Sequence, residues 1–133
     1  MSDVMFTGRE LDVMAVLWDQ GSATVGEVRN KITDELAYTT VLTILRTLEM
    51  KGHVEHVDEG RAYRYKSTVD QRDARRNHLK RLTRKLFSGS TVKLLTHLIT
   101  DRSMREKDLL VLEGLVKEQL AKKKKTSASR KRR

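Results

Sequence analysis

The sequence contains no cysteine and no proline, and aromatic residues make up only 5% of its 133 residues. Without cysteine the chain can form no disulfide, no thiolate metal centre and no cysteine nucleophile. The scarcity of aromatic residues argues against an elaborately lined substrate cavity. No apolar run approaches the roughly 18 residues of a membrane span, and the N-terminus lacks the apolar stretch of a signal peptide. We expect a soluble, cytoplasmic protein of one domain or two very small ones, without membrane insertion.

Basic residues are plentiful but unevenly placed along the chain. There are 28 Lys and Arg against 18 Asp and Glu, which gives a formal net charge of +10. A net charge of this size suggests a nucleic-acid partner. Residues 121–133 hold eight of the basic residues and no acidic one, so residues 1–120 carry a net charge of only +2. This tail has no apolar side chain larger than alanine, and we expect it to be disordered and to add non-specific attraction to DNA. A structured DNA-binding surface must then be a local patch.

Capping signals and apolar periodicity predict three short helices in the first half of the chain. Thr-Gly-Arg-Glu at 7–10 is a capping box before an apolar face that ends at Gly21. Thr-Val-Gly-Glu at 24–27 repeats this signal before a helix of about three turns. A third helix begins near residue 38 and ends at Gly52. The predicted core positions of this third helix are Val41, Ile44, Leu45 and Leu48.

The apolar period then changes from helical to alternating. Residues 54–58 and 61–66 alternate on either side of Glu59-Gly60, which is typical of a β-hairpin. Three short helices followed by a hairpin is the order of a winged helix-turn-helix. We therefore predict a mainly α fold with a small β-hairpin wing, and we place the DNA-binding domain at residues 1–68.

Helical patterns return after residue 69. Residues 70–87, residues 92–99 and a stretch after a third capping box at 103–106 carry apolar side chains on one side. Three helices of this size cannot enclose much apolar surface alone. Packing against a second copy of the chain is the simplest way to bury these side chains. We expect residues 69–120 to be a C-terminal helical dimerisation domain. Its predicted contact residues are Leu95, Leu98, Ile99, Leu109, Leu112, Leu115 and Val116.

The DNA-reading residues follow from the rule that the second helix of a helix-turn-helix lies in the major groove. The non-core positions of the third helix offer hydroxyls, a phenol and a guanidinium, and no acidic residue occurs between Tyr38 and Thr47. For Thr39 the ordinary role of a helix cap is an equal alternative. Gly60 lets the hairpin loop approach DNA closely. The predicted DNA-binding residues are Tyr38, Thr39, Thr40, Thr43, Arg46, Thr47, Arg61 and Arg64.

Two further features each admit two interpretations. Tyr63 and Tyr65 lie on one strand face, where packing in the core is favoured over stacking on bases. A basic run in the fourth helix is either a solvated face or a stripe of phosphate contacts. Its members are Arg72, Arg75, Arg76, Lys80, Arg81, Arg84 and Lys85.

No constellation of residues for chemistry is present in the sequence. The four histidines are scattered, no serine occupies a nucleophile elbow, and there is no Gly-rich phosphate loop or clustered carboxylate pair. We therefore expect no enzyme activity, no metal site and no cofactor.

Taken together, these motifs resemble the BlaI/MecI/CopY family of penicillinase-repressor-like transcriptional regulators. The resemblance covers residues 7–18, 37–43, 51–52, 60–65 and 86–90 and extends through the last two helices. It implies a dimeric repressor that binds an inverted-repeat operator through an N-terminal winged helix and blocks transcription until an inducing signal releases it. The family's recognition helix matches Thr39, Thr40, Thr43 and Arg46, with Arg61 at the wing.

The sequence departs from two branches of this family. The copper-responsive branch uses a C-terminal cysteine cluster, which this chain lacks. The antibiotic-responsive branch is inactivated by cleavage of an Asn-Phe bond, so the resemblance implies a sensor-linked protease as a further partner. The corresponding place here is His97-Leu98, which does not match that cleavage site.

Two other functions remain open from the sequence. The chain is alternatively a sequence-indifferent DNA-coating protein driven by its basic tail, or a protein-interaction module that uses the tail as a nucleic-acid anchor. Deletion of residues 121–133 separates the first of these from a repressor. A repressor should lose mainly salt-dependent, non-specific binding, whereas a coating protein should lose nearly all binding.

Overall fold

A computed structural model describes residues 4–131, apart from the side chains at positions 129 and 131. It confirms the predicted fold class, because six helices accompany a small antiparallel sheet in the described part of the chain. The elements in chain order are α1 Gly8–Gln20, β1 Ala23–Thr24, α2 Val25–Lys31, α3 Tyr38–Met50, β2 Val54–Glu59, β3 Ala62–Ser67, α4 Gln71–Leu86, α5 Thr91–Thr100 and α6 Glu106–Lys131.

The capping box at the start of α1 is formed as predicted. The backbone N–H of Glu10 donates to the Thr7 hydroxyl at 3.2 Å, and the N–H of Thr7 donates to the Glu10 carboxylate at 2.8 Å. Gly21 ends the helix with a φ of 82°, in the left-handed region that glycine adopts without strain. The boundaries of α1 were therefore readable from local sequence alone.

The second predicted helix is shorter than expected. α2 spans seven residues because Ile32 leaves helical geometry, with φ −69° and ψ 141°, and its side chain is buried. The loop that follows is fastened by Arg9, whose Nη1 donates to Asp34 Oδ2 at 2.7 Å. The strand β1, which no pattern predicted, pairs with β3 through Thr24 and Arg64.

The end of α3 matches the prediction for Gly52. Gly52 has a φ of 82°, and its N–H donates to Glu49 O at 2.9 Å. The N–H of His53 donates to Leu48 O at 2.9 Å, which completes a Schellman motif. Of the predicted core positions, Ile44 is only half-buried, whereas the other three are fully buried.

The three strands lie in the order β1-β3-β2. The predicted hairpin is confirmed, but its loop is Gly60-Arg61 because Glu59 pairs with Ala62. Gly60 has a φ of 64°, the positive value that the first residue of a type II′ turn requires. The register opposes His56 to Tyr65 and Asp58 to Tyr63, so these four side chains share the sheet face that turns toward the core.

The boundary between the two parts of the chain lies later than predicted. The chain divides into two compact units between Arg81 and Leu82, not near residue 68. The physical reason is that the first half of α4 packs on the winged helix: Ala74 is only 2% exposed, and His78 Nε2 accepts the N–H of Phe6 at 3.2 Å. Trp18 also connects α1 to the segment just before α4, since its indole N–H donates to Val69 O at 2.9 Å.

The second unit comprises the end of α4 together with α5 and α6. None of the side chains of α5 is buried. The third capping box is not formed, because α6 begins only at Glu106, where the N–H of Arg105 donates to Asp108 Oδ2 at 3.3 Å. The large apolar side chains of α5 and α6 are those that the sequence predicted to form a dimer contact. In the single chain they are exposed or half-buried.

A disordered tail was expected from residue 121, whereas residues 121–131 continue α6 without a break in the structure. Alanine and lysine are strong helix formers, so this segment can extend a helix that is already nucleated. Lys122 also pairs with Glu118 one turn earlier, at 3.5 Å. Residues 132 and 133 of the predicted tail lie outside the described residues.

No helix within residues 4–131 is long and apolar enough to cross a membrane. Across the same part of the chain, no three His, Cys, Asp or Glu side chains gather closely enough to hold a metal ion.

Candidate nucleic-acid interface

The outer face of α3 carries the residues predicted to read DNA. Val41, Leu45 and Leu48 anchor the opposite face in the core, so the helix cannot rotate without exposing them. Tyr38 is 47% exposed, and the remaining predicted positions of α3 are exposed as well: Thr39, Thr40, Thr43, Arg46 and Thr47. The structure therefore places these six side chains together on one solvent-facing helix.

Two threonines of this face are hydrogen-bonded to their own helix. The hydroxyl of Thr43 donates to Thr39 O at 2.9 Å, and the hydroxyl of Thr47 donates to Thr43 O at 2.9 Å. Because each hydroxyl proton is used in this way, these side chains present a methyl group and oxygen lone pairs to an incoming base. A phosphate, which needs a donor, would require the hydroxyl to turn away from the helix.

The N-terminus of α3 is open. Its N-cap is Ala37, which makes no side-chain capping bond, so Thr39 is not the cap. The first backbone N–H groups of α3 therefore have no side-chain cap, and N–H groups of this kind bind phosphate at other helix N-termini. Arg29 supports the preceding turn, since its Nε donates to Leu36 O at 3.2 Å.

The two arginines predicted at the wing occupy different environments. Arg61 is exposed at the tip of the β2–β3 loop, beside Gly60. Arg64 contacts two carboxylates, with Nη2 at 2.9 Å from both Glu27 Oε1 and Glu59 Oε2. The hydrogen bond from Arg64 holds the pKa of Glu27 below its ordinary value. Arg64 thus fastens the hairpin to α2, and its DNA contact stays a prediction that this geometry does not favour.

A partly buried ion pair connects the C-terminal end of α3 to the start of α1. Glu10 is only 5% exposed, and its carboxylate accepts from Lys51 Nζ at 2.8 Å. Burial alone would raise the pKa of Glu10, but the hydrogen bonds from Lys51 and from the N–H of Thr7 outweigh it, so that the pKa lies below its ordinary value. The ionised carboxylate is the form that the fold stabilises.

We expect Glu10→Gln to lower the free energy of unfolding at pH 7 by about 1–3 kcal/mol. Lys51 remains half-exposed, which favours the lower end of this range. Because folding depresses the pKa of Glu10 below its ordinary value of 4.5, its stabilisation is present above the unfolded-state pKa and is lost as pH falls through the lower, folded-state pKa. Urea titrations at pH 7 and pH 3.5 test this: the two proteins should differ at pH 7 and converge in acid. Equal stability at pH 7 would contradict it.

The basic run of α4 does not form a single stripe. All seven side chains are exposed: Arg72, Arg75, Arg76, Lys80, Arg81, Arg84 and Lys85. At about 100° per residue they are distributed around most of the helix circumference. Such an arrangement is typical of a solvated helix, although individual members remain candidates for phosphate contacts.

Two exposed residues beside this interface were missed in the sequence. Met50 is 89% exposed one turn beyond Arg46 and Thr47, on the same side of α3, so extension of the helical period would have found it. Tyr63 was expected in the core with Tyr65, but Tyr63 is 46% exposed while Tyr65 is 1% exposed. The strand period gives both tyrosines the same face and does not reveal where along the strand the core ends.

Comparison with known proteins identifies sequence relatives of this chain. The family model described as "Penicillinase repressor" matches residues 6–118. The penicillinase repressor of Bacillus licheniformis is 33% identical over 66 residues, which are 48% of this chain and 52% of that repressor, so the match spans about half of its length. An uncharacterised 16.5 kDa protein of Latilactobacillus sakei is 25% identical over 112 residues, covering 83% of this chain and 77% of that protein.

Solved structures give a second comparison. The solution structure of the DNA-binding domain of the repressor BlaI is 33% identical, with a TM-score of 0.48 over 51% of this chain and 85% of that one. Wild-type MarR from E. coli in its apo form is 17% identical, with a TM-score of 0.52 over 86% of this chain and 78% of that one. A cysteine-to-serine MarR variant complexed with operator DNA has the same TM-score at 18% identity, over 86% of this chain and 76% of that one. The likeness to MarR is one of fold.

Proposed function

Because the chain belongs to the penicillinase repressor family, we propose that it is a DNA-binding transcriptional repressor that binds a palindromic operator as a homodimer. The family is one of transcriptional regulators and not of enzymes. The observation that carries the proposal is the outer face of α3, which presents exposed hydroxyls and Arg46 without an acidic residue between Tyr38 and Thr47. A regulator of this kind acts where the DNA is, so we also propose a cytoplasmic location.

In the proposed complex, α3 lies in the major groove. Arg46 is the residue suited to bidentate contact with guanine or to a phosphate, and the methyl groups of Thr43 and Thr47 are suited to the thymine methyl. The open N-terminus of α3 and the exposed Arg61 contact the DNA backbone on either side. A few of these contacts select the DNA sequence, and the others position α3 in the groove.

The proposed dimer forms through α5 and α6. Leu95, Leu98 and Ile99 of α5 and the predicted face of α6 expose apolar surface that a second copy would cover. A two-fold axis through these helices sets two copies of α3 about one or more DNA turns apart, which matches an inverted repeat. Repression then results from steric exclusion of the polymerase.

Release by an inducing signal completes the proposal. A signal that separates or cuts the C-terminal helices would divide the operator-bound dimer into two weakly binding halves. The bond between His97 and Leu98 lies inside α5, so a sensor-linked protease would need local unfolding of that helix before cleavage there.

We expect Arg46→Ala to weaken binding to the native operator by about 5- to 150-fold and to relax the preference at the base it contacts. Thr43→Ala should lose less, since it removes a methyl contact and a hydroxyl that already donates to the helix. Gel-shift titration of operator and random DNA measures both effects. Arg102→Ala, which removes one exposed positive charge from the loop between α5 and α6, is the matched control and should bind as the parent does. Unchanged operator affinity in both α3 variants would overturn the assignment of α3.

A further inference from the structure

Tyr63 is an exposed aromatic residue of the wing that the contacts proposed above do not use. It lies on β3 opposite Asp58, on the sheet face that turns toward the core. Its ring packs against the ring of His56 in a tilted arrangement, with 4.3 Å between the ring centroids and 34° between the ring planes. Tyr63 is 46% exposed, so part of its side chain remains accessible to solvent.

The support beneath Tyr63 comes from α3. His56 Nδ1 lies 2.5 Å from Glu49 Oε2, which joins β2 to the last turn of α3. His56 also contacts Tyr65, with 5.3 Å between the ring centroids. The position of the Tyr63 ring is therefore coupled, through His56, to the helix that carries the candidate reading residues.

Residues from α3 and from the wing converge on the buried phenol of Tyr65. Burial, with the nearby Glu49 carboxylate as the next cause, raises the pKa of Tyr65. Arg46 opposes this shift, and Tyr63 and Tyr38 also act on the same phenol. Tyr63 lies with Tyr65 and His56 on one face of the sheet, and the contact between His56 and Glu49 joins this face to α3.

We propose that Tyr63 contacts the DNA backbone. Its hydroxyl donates a hydrogen bond to a phosphate of the DNA strand that passes between α3 and the wing. This inference rests on the proposed DNA binding, in which α3 occupies the major groove and the wing lies beside it. A phosphate is favoured over a base as the partner, because bases in a duplex are already stacked on one another and the ring of Tyr63 already packs against His56.

The charge around Tyr63 is consistent with a neutral hydrogen bond instead of an ion pair. Asp58 is exposed and opposes Tyr63 in the register, so the residue across the sheet from the phenol is acidic and not basic. A neutral donor that contacts a phosphate displaces no counterion. The contact should therefore strengthen binding at every salt concentration by the same factor, unlike a contact from Arg61.

The test is Tyr63→Phe, which removes the hydroxyl and keeps the ring on His56. Binding to operator and to random duplex DNA should weaken by the same factor, about three- to ten-fold. The slope of log affinity against log salt should stay unchanged. His56→Ala, which removes the support, should cause a similar loss, and the double variant should lose little more than either single one. Val57→Ala, on the opposite face of the hairpin, is the matched control and should bind as the parent does.

Three outcomes would overturn the inference: full DNA affinity in Tyr63→Phe, a loss of affinity that a lowered thermal midpoint of unfolding accounts for, or a change in the salt slope. Loss in Tyr63→Ala without loss in Tyr63→Phe would assign the ring to stacking and would also overturn it. Failure of the proposed function is distinguishable, because it would leave the parent protein with no preferred DNA sequence. The phosphate contact can still be measured on random duplex in that case.

Discussion

Leu98→Glu combined with Leu112→Glu is expected to convert the protein into a monomer and to weaken binding to a two-half-site operator by about 10²- to 10⁴-fold. Leu98 is 40% exposed on α5, and Leu112 is half-buried on α6, in the faces proposed to meet a second copy. A carboxylate in that apolar interface would have no partner and would resist burial. Binding of one half-site by one chain should be unchanged, because both substitutions lie outside the winged helix.

Sedimentation equilibrium measures the mass, and fluorescence anisotropy with one and with two half-sites measures the affinity. Leu110→Glu is the matched control, since it introduces the same charge on a different side of α6 and should leave the dimer intact. A variant that is monomeric at micromolar concentration yet binds the full operator like the parent would refute the link between dimerisation and affinity. Far-UV circular dichroism should show that the helices persist in all variants.

Deletion of residues 121–133 is expected to cause the largest change in salt dependence. This segment holds eight basic residues and no acidic one, while residues 1–120 are nearly neutral. If each basic side chain neutralises one phosphate, the slope of log affinity against log salt should decrease by up to about 7 per chain. Affinity for random DNA should fall sharply at low salt, while the preferred sequence should stay the same.

Two sets of substitutions test whether the positive charge of this segment causes the change in salt slope. Replacement of Lys122, Lys123, Lys124 and Lys125 by glutamine should reproduce about half of the change in slope, whereas replacement by arginine should leave the slope intact. A repressor keeps a measurable preference for its operator after the deletion. Loss of nearly all binding to both operator and random DNA would instead support the sequence-indifferent DNA-coating protein.

The parts of the fold that follow local rules were predictable. The capping box at Thr7, the left-handed glycines at 21 and 52 and the change of period after residue 52 each determine structure over a few residues. The exposed face of α3 was also predictable, because a core helix of known period leaves its remaining positions exposed. These features need no information about distant segments.

The features that were missed depend on contacts between distant segments. β1 has only two residues, too few to show the alternation of a strand in the sequence. It forms because Thr24 pairs with Arg64 of β3. The same pairing brings Arg64 to Glu27, an internal ion pair that the sequence did not predict. The later unit boundary arises in the same way, since Ala74 is buried by residues far earlier in the chain. Propensity and spacing do not report such pairings.

The fastening of the wing by Arg64 has a kinetic consequence. The guanidinium holds β3 to Glu27 and Glu59, and His56 joins β2 to Glu49, so both strands of the hairpin are connected to helices or to each other before DNA arrives. An encounter therefore needs no folding of the wing, and little ordering entropy is lost on binding. Association should be limited by diffusion and orientation, and substitutions at the interface should act chiefly by changing the lifetime of the complex.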